Sequence, residues 1–186
     1  MPSVKLLEIN EVDNSIKELY RETEQHFGQI PNLVKALGNN PTLCKSITRF
    51  MIQAMGKGRI SWSFKELIIL KTLRAMKSYY SFGAHEQIAT DLGVPNEKIG
   101  DLANSLWQQS PHFDEGEKAV FELINQIAED ANDVSDALWD RLKEHWDNGQ
   151  LIEINAVITT FIMIGRIGDS LGVSDPTLFN KPISKS

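Results

Sequence analysis

The sequence predicts an all-α protein. Apolar residues recur at helical spacing along most of the chain, and no alternating pattern persists long enough to make a strand. Glycine, proline and asparagine interrupt that spacing where helices should end. One central segment, Ser63 to Met76, is apolar almost all round, with Phe64, Leu67, Ile68, Ile69, Leu70, Leu73 and Met76. A helix of that kind must be surrounded by others, at the middle of a core.

Asn14 to Phe27 places Ile16, Leu19, Tyr20 and Phe27 on one helical stripe, closed by Gly28. Pro31 suits the first turn of a short helix through Leu37, because it lacks only a hydrogen bond that this position never makes. Gly38-Asn39-Asn40-Pro41 stops that helix and starts the next, which runs to about Met55 before the break at Gly56-Lys57-Gly58. After the central helix, Ser81 to Leu92 forms another, ended by Gly93, and Pro95 opens one toward Trp107. Asp114 to Ala128 is amphipathic, turning Val120, Phe121, Leu123, Ile124 and Ile127 inward. Ser135 begins a helix through Trp146, and Gln150 to Leu171 forms the last long one, stopped by Gly172. The tail beyond Pro176 is expected to be loosely held or docked on a neighbour. Asp91-Leu-Gly-Val94 and Ser170-Leu-Gly-Val173 echo each other at two helix ends, a hint of two-fold-related halves that falls short of a repeat.

The 186 residues fit one domain, and a chain of this length buries about 70% of its unfolded surface. Hydrophobic residues make up 41% and charged residues 24%, as in a soluble globular protein. The net charge of −6, with no dense Lys/Arg cluster, argues against a nucleic-acid partner. No signal peptide is visible in Met1-Pro-Ser-Val-Lys-Leu-Leu-Glu8. The longest apolar run, Ile154 to Gly165, is flanked by Glu153, Arg166 and Asp169 and reads as a core helix, not a membrane span. A single cysteine, Cys44, excludes an internal disulfide and fits a reducing cytoplasm.

The segment from Glu66 to His85 carries the outline of a thiol site without its sulfurs: Glu66, then Ser78-Tyr79-Tyr80-Ser81, then His85. With cysteine at 78 and 81, a helix N-terminus would lower the first thiol's pKa and supply thiolate at neutral pH. His85, four residues after Ser81, shares its helical face and is placed to relay protons. A glutamate on the preceding antiparallel helix would orient that histidine.

Here the chain resembles the carboxymuconolactone decarboxylase and alkyl hydroperoxidase D-like superfamily. The resemblance runs from Gly28-Gln-Ile-Pro-Asn-Leu33 to Val173, which sets the domain's core at about 28–173. It includes Asn40-Pro41, Ile60-Ser-Trp-Ser-Phe-Lys-Glu66-Leu-Ile-Ile-Leu, Gly83-Ala-His85, Asp91-Leu-Gly-Val-Pro-Asn-Glu-Lys-Ile99, Asp114-Glu-Gly-Glu-Lys-Ala-Val-Phe and Gln150-Leu-Ile-Glu-Ile-Asn. In peroxidase-like members a thiol pair reduces hydroperoxides, the second cysteine attacks, and a dithiol donor recycles the pair. The resemblance maps the family's glutamate and histidine onto Glu66 and His85, and its cysteines onto Ser78 and Ser81. A serine hydroxyl is scarcely ionised at neutral pH and forms no disulfide, so peroxide reduction by the usual route should fail. The resemblance implies a homo-oligomer, trimer or hexamer, with sites near subunit contacts, no cofactor and no metal. Two other readings stay open: a non-catalytic pocket binding a small ligand, and thiol-independent decarboxylase or lyase chemistry on a small carboxylic acid.

Plainer explanations compete for each residue. Ser63-Phe-Lys-Glu66 has the spacing of a capping box, which would use the Glu66 carboxylate at the helix start. Ser78 fits an N-cap. Ser81 lacks the elbow and oxyanion context of a serine hydrolase. Tyr80 suits a pocket contact or a proton donor, and Tyr79 and Tyr80 equally suit packing. His26, His112 and His145 have no metal-ligand spacing, and the carboxylates from Asp114 to Glu117 match a helix dipole. Cys44 reads as a core residue, or as a displaced thiol if it reaches His85. Glu153 and Arg166, on a helix with a buried middle, require partners within the subunit or across an interface.

Overall fold

The computed structural model describes residues 2–173, with the side chains of Tyr79, Tyr80, Ser81 and Ala84 outside the described set. No strand occurs among the described residues. A 3-10 turn, Asn14–Ile16, leads into α1 (Lys17–Phe27), followed by α2 (Asn32–Leu37), α3 (Pro41–Met55), α4 (Trp62–Ala75) and α5 (Tyr79–Asp91). Then come α6 (Asn96–Ala103), α7 (Glu115–Asp130), α8 (Asp136–His145) and α9 (Asn148–Leu171). The tail beyond Pro176 lies outside the described residues.

The central helix is α4, which packs on α5, α6, α7 and α9. Its residues from Phe64 to Thr72 are buried without interruption, as an apolar surface on all sides requires. Around it gathers the larger apolar cluster, including Leu67, Ile68, Leu70, Leu102, Phe121, Ile124, Ile154, Val157 and Phe161. A smaller cluster under α1–α3 holds Val12, Ile16, Leu19, Tyr20, Val34, Cys44 and Met51.

Helix ends follow the punctuation. Gly28, Gly93 and Gly172 all take positive φ, of 75°, 79° and 61°. The echoed Leu-Gly-Val segments are matching caps: Val94 N–H donates to Ala89 O at 2.9 Å and Val173 N–H to Gly168 O at 3.0 Å. Asp114 and Glu117 close a capping box on α7, as Asp147 and Gln150 do on α9. The helix opened by Pro95 ends at Ala103, short of Trp107, because the chain turns through Ser105 at φ 60°.

By length and composition alone α9, with 24 residues and a mean hydropathy of 1.5, would suffice to cross a membrane. In the fold its Ile154, Val157, Ile158 and Phe161 are buried in the larger cluster, and the helix packs against α4. Of its two charges in question, Glu153 finds Lys65, whose ammonium is 2.6 Å from Oε1, and accepts the Arg59 backbone N–H on Oε2 at 2.6 Å. Arg166 is exposed, so it requires no buried partner.

Candidate functional site

Helix α4 begins two residues earlier than its local sequence suggests. Ser61 is the N-cap, its hydroxyl accepting from Phe64 N–H at 3.2 Å. The expected capping box at Ser63 and Glu66 therefore does not form. Glu66 sits in the second turn, fully buried, with its carboxylate free to face α5.

Across that interface Glu66 Oε2 lies 2.8 Å from His85 Nδ1. The other carboxylate oxygen, Oε1, accepts from the indole Nε1 of Trp62 at 3.2 Å. The His85 side chain is 16% exposed, and its ring packs edge-on to Phe161 of α9 with centroids 4.9 Å apart. Three helices thus fix one imidazole. With Glu66 as a carboxylate, which only accepts, the contact uses Nδ1 as the donor and leaves Nε2 as the ring nitrogen not engaged by Glu66.

The turn from α4 to α5 passes through Lys77 at φ 59°, and Ser78 N–H then donates to Leu73 O at 2.9 Å. Ser78 occupies the N-cap position of α5, as its sequence suggests, yet its side chain makes no cap hydrogen bond. Its Oγ is buried without a partner among the described residues. A buried hydroxyl left unpaired costs about 1–3 kcal/mol, whereas a thiol, a weak donor, forfeits much less. Ser81 and Tyr80 lie in the first turn of α5, but their side chains fall outside the described set. Of the residues expected to share a site, Glu66 and His85 are brought into contact.

Trp62 and, behind it, His26 are the members that sequence reasoning missed. His26 of α1 stacks on the Trp62 indole, centroids 6.2 Å apart and planes 12° from parallel, and its Nε2 is buried without a hydrogen bond among the described residues. The i, i+4 spacing of Trp62 and Glu66 is the local signal that could have found the first of them.

Cys44 is a core residue and not a displaced site thiol. It belongs to the smaller cluster, with Sγ 4.0 Å from Val34 O and 3.9 Å from Thr48 Oγ1. Burial pushes its thiol pKa up, against a smaller lowering by Thr48. Native protein should therefore react with an aromatic disulfide reagent at least ~10-fold more slowly than denatured protein; equal rates would contradict this placement. No group of three or more His, Cys, Asp or Glu side chains suited to a metal occurs among the described residues.

No family model and no curated protein sequence matches the chain. Solved structures do match. An uncharacterized peroxidase-related protein from Ralstonia eutropha JMP134, described as an alkylhydroperoxidase AhpD core, superposes with a TM-score of 0.81 at 17% identity, over 96% of this chain and 94% of that one. This is the alkyl hydroperoxidase D-like fold. A peroxidase-related protein from Silicibacter sp. TM1040 has the same fold, with a TM-score of 0.81 at 16% identity over 98% and 95% of the two chains. The debrominase Bmp8, solved with 2,3,4-tribromopyrrole, matches with a TM-score of 0.76 at 20% identity over 89% and 88%. The alkyl hydroperoxidase D-like architecture read from the sequence is thereby established as a fold.

Proposed function

We propose that this chain is a redox-lineage alkyl hydroperoxidase D-like protein in which conventional thiol peroxidase turnover is absent and an acid–base couple, Glu66 with His85, is retained. The observation that carries the reading is the 2.8 Å contact between a fully buried carboxylate and a histidine 16% exposed. A buried carboxylate is costly unless it is paired, and Glu66 is paired on both oxygens, by Trp62 and His85; general acid–base work is what a carboxylate–histidine pair suits. Ser78 and Ser81 stand where the resemblance expects the sulfurs, and Tyr80 is the neighbouring pocket contact. The Ser78 Oγ, without a partner among the described residues, supports the idea that this position suits a thiol better than a hydroxyl.

The test is gain of function. Ser78→Cys/Ser81→Cys is expected to consume a hydroperoxide in the presence of a dithiol donor. His85→Ala in that background should then lower the rate by roughly 10²–10⁴-fold, the usual contribution of a general acid or base. A restored pair that turns over equally well without His85 would remove the couple from the mechanism. Ser78→Cys alone should raise folding stability by about 1 kcal/mol, by relieving the unpaired hydroxyl.

The Ser78 Oγ, unpaired among the described residues, also favours a second reading, a pocket that binds a small hydrogen-bonding ligand without turnover. Thermal stabilisation by small carboxylic acids that survives His85→Ala would favour it over lyase chemistry. The proposal includes a cytoplasmic homo-oligomer, a trimer or hexamer. Its support is the apolar window of α9, of which 33% is buried within one chain, and light scattering that returned a monomer mass would remove it.

A further inference from the structure

We propose that Trp62 is a positioning residue for the Glu66–His85 couple, an inference that rests on the functional reading above. Its indole N–H holds one oxygen of the buried carboxylate, so that the other is presented to His85.

Glu66 is 0% exposed, and its two oxygens are divided between two donors, Trp62 Nε1 on Oε1 at 3.2 Å and His85 Nδ1 on Oε2 at 2.8 Å. Trp62 precedes Glu66 by four residues, one turn of α4, and follows directly on the N-cap Ser61. The indole is 43% exposed, so burial of its ring does not account for its placement. Its nitrogen nevertheless points at a carboxylate that water does not reach. An indole N–H can only donate, and a carboxylate can only accept, which gives this hydrogen bond a single polarity. Together with the His85 contact it fixes the plane of the carboxylate, so that one oxygen stays aimed at the imidazole.

The indole itself is held from outside α4. His26, at the end of α1, stacks on it with planes 12° from parallel, and Phe27 packs edge-on to His26 at 4.6 Å. The order is then His26, Trp62, Glu66, His85, running from the smaller part of the molecule to the helix that carries the serines. Removing the indole N–H leaves a buried carboxylate oxygen unpaired, and the carboxylate becomes free to turn. The consequence falls on the imidazole: its Nδ1 proton loses a fixed acceptor.

The test is nitrogen-15 NMR of His85 in the wild-type chain, Trp62→Phe and Glu66→Ala. Trp62→Phe removes the donor while keeping an aromatic ring for His26. In wild-type protein the His85 Nδ1 proton should be visible and slow to exchange, and in Glu66→Ala it should be lost. In Trp62→Phe its exchange should rise by at least about tenfold, the scale set by a hydrogen bond to a charged acceptor, while backbone amides of α5 keep their protection. An unchanged His85 signal, or equal loss of protection across α5, overturns the proposal. Should Trp62→Phe not fold, the indole proton of Trp62 in wild-type protein answers the same question. It should exchange about tenfold more slowly than a free indole, and exchange at the free rate overturns the proposal. None of these readouts needs a substrate, so they stand or fall separately from the peroxidase assays on the cysteine replacements.

Discussion

Glu153→Ala is expected to cost about 3–5 kcal/mol of folding stability, the range for breaking a buried ion pair by removing one partner. Lys65 is 1% exposed, and its ammonium has three partners: Ala54 O at 2.8 Å, Gly56 O at 2.7 Å and Glu153 Oε1 at 2.6 Å. Truncating Glu153 leaves that charge buried against two carbonyl dipoles. It also frees the Arg59 backbone N–H, which Oε2 accepts at 2.6 Å. Burial pushes the Glu153 carboxyl up, but Lys65 and the Arg59 and Ile60 backbone N–H groups outweigh it and hold its pKa below the usual range.

Gly58 belongs to the same arrangement. A Cβ there would lie 1.9 Å from Glu153 Oε1, so Gly58→Ala should displace the carboxylate and give part of the same loss. Denaturant titration measures both. Replacing the pair together, Lys65→Met/Glu153→Leu, should recover most of the stability, because two apolar side chains leave no buried charge. A double replacement as unstable as Glu153→Ala would mean that the ion pair is not what Glu153 contributes.

Raising the pH from about 8 to 10.5 should stabilise the protein through Lys71 by up to about 3 kcal/mol. Its side chain is buried beneath the Trp107 ring, with Nζ 5.4 Å from the ring centroid, and donates to Asn125 Oδ1. Burial, and secondarily the charge of Arg74, lowers its pKa from 10.5 to about 8. In that window the unfolded chain holds the proton and the folded chain does not, so stability rises with pH. Below pH 8 both states carry the charge, and its full burial cost remains.

Two other groups work in the opposite direction. Cys44 and Tyr20 both have pKa values raised by burial, so ionisation in the unfolded state lowers stability as the pH climbs. The wild-type curve therefore mixes all three. Lys71→Met separates them, because the difference between the two curves contains the Lys71 contribution alone. That difference should favour the variant below pH 8 and shrink toward pH 10.5, and a difference that does not change with pH would contradict the assignment.

Much of this architecture was legible locally. Gly28, Gly93 and Gly172 mark helix ends because a left-handed residue there is cheapest as glycine. The contact between Glu66 and His85 was legible because two adjacent helices joined by a short turn bring their facing sides together.

What the sequence concealed was long-range. Ser61 and Ser63 compete for the start of α4, and Ser63 has the better local pattern. The choice falls to Ser61 because the preceding loop is pinned from α9, through Glu153 on Arg59, and from α4 itself, through Lys65 on Ala54 and Gly56. That shift of two residues takes Glu66 out of the cap and turns it toward His85. The stack of His26 on Trp62 was concealed for the same reason, since α1 and α4 meet only in the folded chain.

Hydroperoxide consumption by the unmodified chain, supplied with a dithiol donor and compared with the dithiol alone, tests the central claim most directly. The serines at 78 and 81 and the buried Cys44 predict a rate equal to the dithiol background, unchanged by Cys44→Ser. Turnover above background by the chain as it stands would contradict the claim that thiol peroxidase chemistry is absent from this site.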